Sequence, residues 1–119
     1  MNIALVGNPN SGKSTLFSAL TKKHQTIGNF PGVTIEKKEG IIEGTMHHVI
    51  DLPGTYSLLP YSKEEEITAN YIKDEKIDVI LNVVDGTCLE RSLFLTTQLL
   101  SLKKRVIIVI TMEDCFKKE

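Results

Sequence analysis

Residues Gly7 to Ser14 read GNPNSGKS, and no other run constrains the fold of this chain as tightly. Gly7, Gly12, Lys13 and Ser14 satisfy the pattern G-x-x-x-x-G-K-[ST]. That pattern has a mechanical reading. Glycines allow tight positive-φ turns and let backbone N–H groups converge on phosphate oxygens without a Cβ in the way. A helix starting near Lys13 adds the positive end of its dipole. Lys13 is placed to reach the β- and γ-phosphates, and the Ser14 hydroxyl to coordinate Mg²⁺. The reading requires a strand before the loop and a helix after it. Asn2 to Val6 has the apolar character of a buried strand, and Lys13 to Lys23 reads as the helix. The implied ligand is a nucleoside triphosphate with magnesium.

The rest of the chain alternates short apolar runs with amphipathic stretches, which points to an α/β sheet. Val33 to Glu43 alternates roughly every second residue, and Gly44 with Thr45 turns it back into Met46 to Asp51, an antiparallel hairpin. Lys63 to Lys73 fits a helix in which Ser62 is the N-cap and Glu65 completes a capping box. Val79 to Val84 and Val106 to Ile110 are continuous branched-apolar runs, the mark of strands in a parallel sheet covered on both faces. Leu89 to Leu102 reads as the helix between them, with Leu89, Leu93, Leu95, Leu99, Leu100 and Leu102 expected in the core.

Composition closes off several functions. At 119 residues the chain is expected to form one domain. Fourteen basic residues against 15 acidic ones leave no bulk field to gather a nucleic acid or an anionic membrane, so any anion site must be local. Lys103, Lys104 and Arg105, and the terminal Lys117 and Lys118, lack aromatic interleaving and read as solvated turns. Cys88 and Cys115 are too few for a disulfide framework or a zinc cluster. With no run of about 18 apolar residues, the chain is expected to be cytoplasmic.

Two further motifs fit the phosphate loop. Asp51 closes an apolar strand and opens DLPG, where a carboxylate at a strand tip can hold Mg²⁺ through water and Gly54 can offer its N–H to a γ-phosphate. Thr34, in GNFPGVT, is a candidate second hydroxyl ligand to Mg²⁺ in a loop ordered by the γ-phosphate. His24, His47 and His48 invite a metal reading. Adjacent histidines on a strand face opposite sides, however, so ordinary surface roles are favoured.

These motifs, with the runs GNFPGVT, DLPGTYSL and VVDGTCLERSLFLTTQLL, resemble the cytosolic GTPase domain of the ferrous iron transport protein B (FeoB) family over nearly the whole chain. The resemblance implies a three-layer, Ras-like P-loop sheet, mostly parallel with one antiparallel edge hairpin. Switch I lies around His24 to Thr34 and switch II around Asp51 to Ser62. It implies that Asn10 ligates a potassium ion assisting hydrolysis; from the residues alone a turn role for Asn10 stands equally. The implied catalytic set is Lys13, Thr34 and Asn10. The implied nucleotide-binding set runs through Gly7, Asn8, Pro9, Asn10, Ser11, Gly12, Lys13, Ser14 and Thr15, then Gly32, Val33 and Thr34. It continues through Asp51, Leu52, Pro53 and Gly54 to Thr111 and Asp114. The cofactors implied are GTP or GDP, Mg²⁺ and K⁺. The implied partner is a membrane iron-permease domain, which would place the chain on the cytoplasmic face of the membrane.

Thr55 follows Gly54 where Ras-type enzymes carry a water-orienting glutamine, so slow intrinsic hydrolysis is expected. The guanine-reading stretch expected as N-K/M-x-D is Thr111, Met112, Glu113, Asp114. Asp114 can still accept two hydrogen bonds from guanine. Thr111 lacks the amide and is expected to hold the loop and base less well. The chain ends at Glu119, short of the last strand and helices of a Ras-like domain, so residues 1–119 are expected to be a partial GTPase domain with an exposed edge strand. The alternative is a non-catalytic remnant that binds nucleotide weakly or only with a partner.

Overall fold

The computed structural model describes residues 1–9, 11–22, 24–74 and 76–111. Among these, six strands form a single sheet. β1 is Asn2–Gly7, β2 Gln25–Asn29, β3 Glu36–Ile41, β4 His48–Asp51, β5 Val79–Asp85 and β6 Arg105–Thr111. Three helices, α1 (Lys13–Thr21), α2 (Lys63–Lys73) and α3 (Leu89–Leu100), join them. The strand order is β2-β3-β4-β1-β5-β6. β4, β1, β5 and β6 run parallel, while β3 is antiparallel to both β4 and β2.

Period-two alternation on β1 decides the layers. Ala4 and Val6 face one way and pack with Ile50, Leu52, Ile80, Ile72 of α2, and Leu95 and Leu99 of α3. Ile3 and Leu5 face the other way and pack with Val49, Val79, Val83 and Phe17 of α1. The sheet is therefore covered by α1 on one side and by α2 and α3 on the other, as the three-layer expectation required.

Three expectations need correction. β2 was not anticipated: QTIGN has no apolar alternation, four of its five residues are exposed, and it is held by backbone pairing with β3 and by the Gln25 side chain donating to Thr21 Oγ1. Second, β3 begins at Glu36 instead of Val33, and α1 ends at Thr21, where Lys22 takes φ 49°. Third, only Leu95 and Leu99 of the α3 leucines are fully buried. Leu89, Leu93 and Leu100 are exposed, and Leu102 lies beyond the helix, half-buried against the core. α3 presents Ser92 and Thr96 to the sheet instead, because polar groups there meet polar partners on β5 and the phosphate loop.

β6, the edge expected to be exposed, does leave Ile107, Ile108 and Ile110 accessible. Ser62 caps α2 as expected, its Oγ accepting from the Glu65 N–H at 3.2 Å.

Candidate nucleotide site

The C-terminal ends of the parallel strands meet at one edge of the sheet, where ligands of open α/β sheets bind. β1 ends at Gly7 and opens the GNPNSGKS loop, and β4 ends at Asp51, which is in register with Leu5. β5 and β6 end at Asp85 and Thr111, themselves in register. Gly7, Asp51, Asp85 and Thr111 are thus delivered to one rim by backbone pairing.

The loop is close-packed. A Cβ on Gly7 would come 2.7 Å from the Val83 carbonyl oxygen and 2.9 Å from Ser11 Oγ, so glycine is required there. Gly12, at φ 86°, occupies the N-cap of α1 without giving a side-chain cap. By contrast, α2 has Ser62 as its cap. The first-turn N–H groups of α1 thus keep their donor capacity for an anion at the loop.

Lys13 and Asp51 lie together beneath this loop. The Lys13 ammonium is hydrogen-bonded to an Asp51 carboxylate oxygen, and the two side chains are only 9% and 7% exposed. A buried pair of this kind neutralises both charges at a place where either alone would be costly. Ser14 and Thr15 begin α1 with exposed side chains. Leu52 is fully buried, and its N–H donates to the Leu5 carbonyl.

The segment after Asp51 is fastened against the loop. Thr55 N–H donates to the Gly7 carbonyl at 3.0 Å. A Cβ on Gly54 would sit 2.9 Å from Pro9 Cα and 3.0 Å from Pro9 N, so the DLPG turn and the phosphate loop touch backbone to backbone. Thr68 of α2 donates to the Pro53 carbonyl.

Gly32 and Val33 belong to a tight turn in which Gly32 adopts φ 76° and Val33 N–H donates to the Phe30 carbonyl at 3.3 Å. Phe30 anchors that turn. It is 2% exposed and meets Tyr71 of α2 edge-on, with ring centroids 5.3 Å apart. Thr34 is exposed just before β3.

The Thr111 hydroxyl reaches the phosphate loop. Its oxygen lies 2.5 Å from the Ser11 carbonyl oxygen and 3.4 Å from that of Val84. With one proton to donate, it bonds to Ser11. The end of β6 is therefore tied to the phosphate loop without an asparagine. Asn10 and Asp114 lie outside the described residues.

Three buried polar atoms gather around the loop. Asn8 Oδ1, Ser11 Oγ and Thr55 Oγ1 are buried and make no hydrogen bond within the described chain, and all three belong to the loop or to the segment bonded to it. Buried oxygens of this kind are ordinarily satisfied, and these three lie together at the loop among the described residues. His47 Nδ1 lies 2.9 Å from the Met1 amino group, and no three His, Cys, Asp or Glu side chains gather as a metal site among the described residues.

The sequence model of the family described as ferrous iron transport protein B matches residues 1–119. The chain belongs to the FeoB family. It is 50% identical over 121 residues to the Fe(2+) transporter FeoB of Campylobacter jejuni, covering 100% of this chain and 20% of that protein. It is 56% identical over 102 residues to the Fe(2+) transporter FeoB of Methanocaldococcus jannaschii, covering 84% of this chain and 15% of the relative. The chain therefore spans a fifth or less of these FeoB proteins. Among solved structures it resembles a GDP-bound mutant of the S. thermophilus FeoB G-domain, with a TM-score of 0.93 and 47% identity over 99% of this chain and 46% of that one. It also resembles the T. maritima FeoB G domain, with a TM-score of 0.90 and 43% identity over 100% of this chain and 76% of that one.

Sequence reasoning missed Asn82, Ser92 and Thr96, which connect the loop to α3. A signal was present: an asparagine inside the apolar run VILNVV, and two hydroxyl residues four apart on the helix that follows.

Proposed function

We infer that this chain is the guanine-nucleotide-binding, GTP-hydrolysing part of a ferrous iron uptake transporter, residues 1–119 forming part of its GTPase domain. The observation that carries the reading is the buried Lys13–Asp51 pair beneath a glycine loop that opens an uncapped helix. GDP-bound FeoB relatives of the same fold support guanine as the base.

In this reading Lys13 exchanges its carboxylate partner for the β- and γ-phosphates. Gly7, Asn8, Pro9, Ser11 and Gly12 line the phosphates, with Thr15 next to them at the start of α1. Ser14 and Asp51, joined by Thr34 when the Gly32–Thr34 turn closes, would hold Mg²⁺, which offsets phosphate charge. Gly54 offers its N–H to the γ-phosphate from a turn shaped by Leu52 and Pro53. Asn10 would hold K⁺ and Asp114 the base, with Thr111 steadying the loop between them. The orphaned Asn8, Ser11 and Thr55 oxygens fit this crowded polar site. A membrane iron-permease domain is the partner, and the cytoplasmic membrane face the location, that the family relation supports. Phosphate release from GTP tests the reading: hydrolysis faster in potassium than in sodium is expected. Equal rates in the two salts contradict the Asn10 role, and no release contradicts the hydrolytic function.

A further inference from the structure

α3 buries hydroxyls where an apolar stripe would pack more simply. Ser92 is 3% exposed and Thr96 2%, one turn apart on the face that meets the sheet. Opposite them stands Asn82, 1% exposed in the middle of β5. The Thr96 hydroxyl donates to Asn82 Oδ1 at 2.6 Å, and Asn82 Nδ2 donates to the Val6 carbonyl at 3.3 Å. Beside this relay, Asn8 Nδ2 donates to Ser92 Oγ at 3.3 Å. Both connections end at the same place: Val6 is the residue before Gly7, and Asn8 the residue after it.

Backbone pairing between β1 and β5 already sets the register of the sheet, from Ile3 with Val79 to Gly7 with Val83. The side-chain bonds are not needed for that purpose. A leucine at 82 and a valine at 96 would fill this space without burying amide and hydroxyl groups, whose desolvation offsets most of what their hydrogen bonds contribute. What directional bonds add is a fixed distance and orientation between helix and strand. Here they act at the point where the strand becomes the phosphate loop. α3 also contacts the segment that follows the DLPG turn. Gln98 Oε1 accepts the Leu58 N–H at 2.8 Å, and the Arg91 guanidinium lies 5.3 Å from the centroid of the Tyr56 ring.

We propose that Asn82, Thr96 and Ser92 are positioning residues which hold the phosphate loop through the Val6 carbonyl and the Asn8 amide, so that the seating of α3 sets how firmly nucleotide is retained. The proposal rests on the nucleotide-binding reading of the loop and adds residues that touch no phosphate.

The test is the dissociation rate of a fluorescent GDP analogue from the purified chain, measured beside the thermal midpoint of the nucleotide-free protein. Thr96→Val keeps the side-chain shape and removes the donor to Asn82; release about three- to tenfold faster is expected, the effect of one net hydrogen bond. Ser92→Ala should act in the same direction through Asn8. Thr96→Ser, which retains the hydroxyl, should restore the wild-type rate. Thr97→Val, on the exposed side of the helix, should leave it unchanged. Ser92→Ala, the milder truncation, carries the test if Thr96→Val does not fold. If the wild-type chain retains GDP while Thr96→Val and Ser92→Ala release it at the wild-type rate, the positioning role is overturned, even where the midpoints fall. A wild-type chain that retains no guanine nucleotide instead contradicts the nucleotide-binding reading beneath it.

Discussion

At the scale of single residues, the site is built from contacts too close to tolerate an added methyl or a lost proton. Gly54 packs on Pro9 so closely that alanine would drive its Cβ into backbone, which cannot yield as a flexible side chain would. Gly54→Ala is expected to push the DLPG turn off the phosphate loop and to lower GTP affinity about tenfold or more, given that overpacking costs typically 1–3 kcal/mol. Equilibrium titration with a fluorescent GTP analogue measures it. Thr111 is the counterpart at the end of β6. Thr111→Val removes the hydroxyl bonded to Ser11 while preserving the strand's β-branched shape. GDP binding weaker by roughly three- to tenfold is expected; unchanged affinity would show that the Ser11 contact does not steady the loop. The short side chain at this position had suggested a looser hold. What the geometry adds is a hydroxyl bond from Thr111 to the Ser11 carbonyl.

Among elements, what could be read from sequence follows the strength of the local pattern. β1, β5 and β6 are continuous apolar runs, and α2 carries both a capping box and an acidic first turn, so each was legible from its own residues. β2 was not, because an exposed edge strand held by backbone bonds leaves no apolar period to read. The buried face of α3 was misread for a related reason. Leucine spacing marks a helix, but the choice of buried face depends on partners such as Asn82 that only the folded chain brings opposite Ser92 and Thr96. Lys13 and Asp51 were expected at one rim, and the structure brings their side chains together. Their mutual placement follows from β1 and β4 ending at the same rim. The Gly28–Thr34 segment gives a prediction at this scale. Phe30 inserts into the core beside Tyr71 and ties the turn to α2. Phe30→Ala is expected to cost about 3–5 kcal/mol of stability, read from chemical denaturation. A loss below about 1 kcal/mol would mean that the turn is held by its backbone bonds alone.

For the whole molecule, the sheet has two unlike edges. β2 ends one side with a polar, exposed strand, while β6 ends the other with Ile107, Ile108 and Ile110 between 45% and 60% exposed. Among the described residues no strand pairs with the outer side of β6, and an apolar edge of that kind is prone to pair with another chain. Ile110→Lys is therefore expected to suppress concentration-dependent self-association in sedimentation velocity with little change in thermal midpoint. Unaltered association would place the sticky surface elsewhere. The candidate nucleotide site lies where β1, β4, β5 and β6 end, and α3 bonds both to its loop through Ser92 and to Leu58 through Gln98. The measurement that bears most directly on the central claim is a titration of the purified chain with fluorescent GDP, GTP and ATP analogues in magnesium, alongside Lys13→Ala. Binding selective for the guanine nucleotides, and lost in Lys13→Ala, is the expected result. Equal binding of ATP and GTP, or guanine binding that survives the loss of Lys13, would contradict a guanine switch built on this loop.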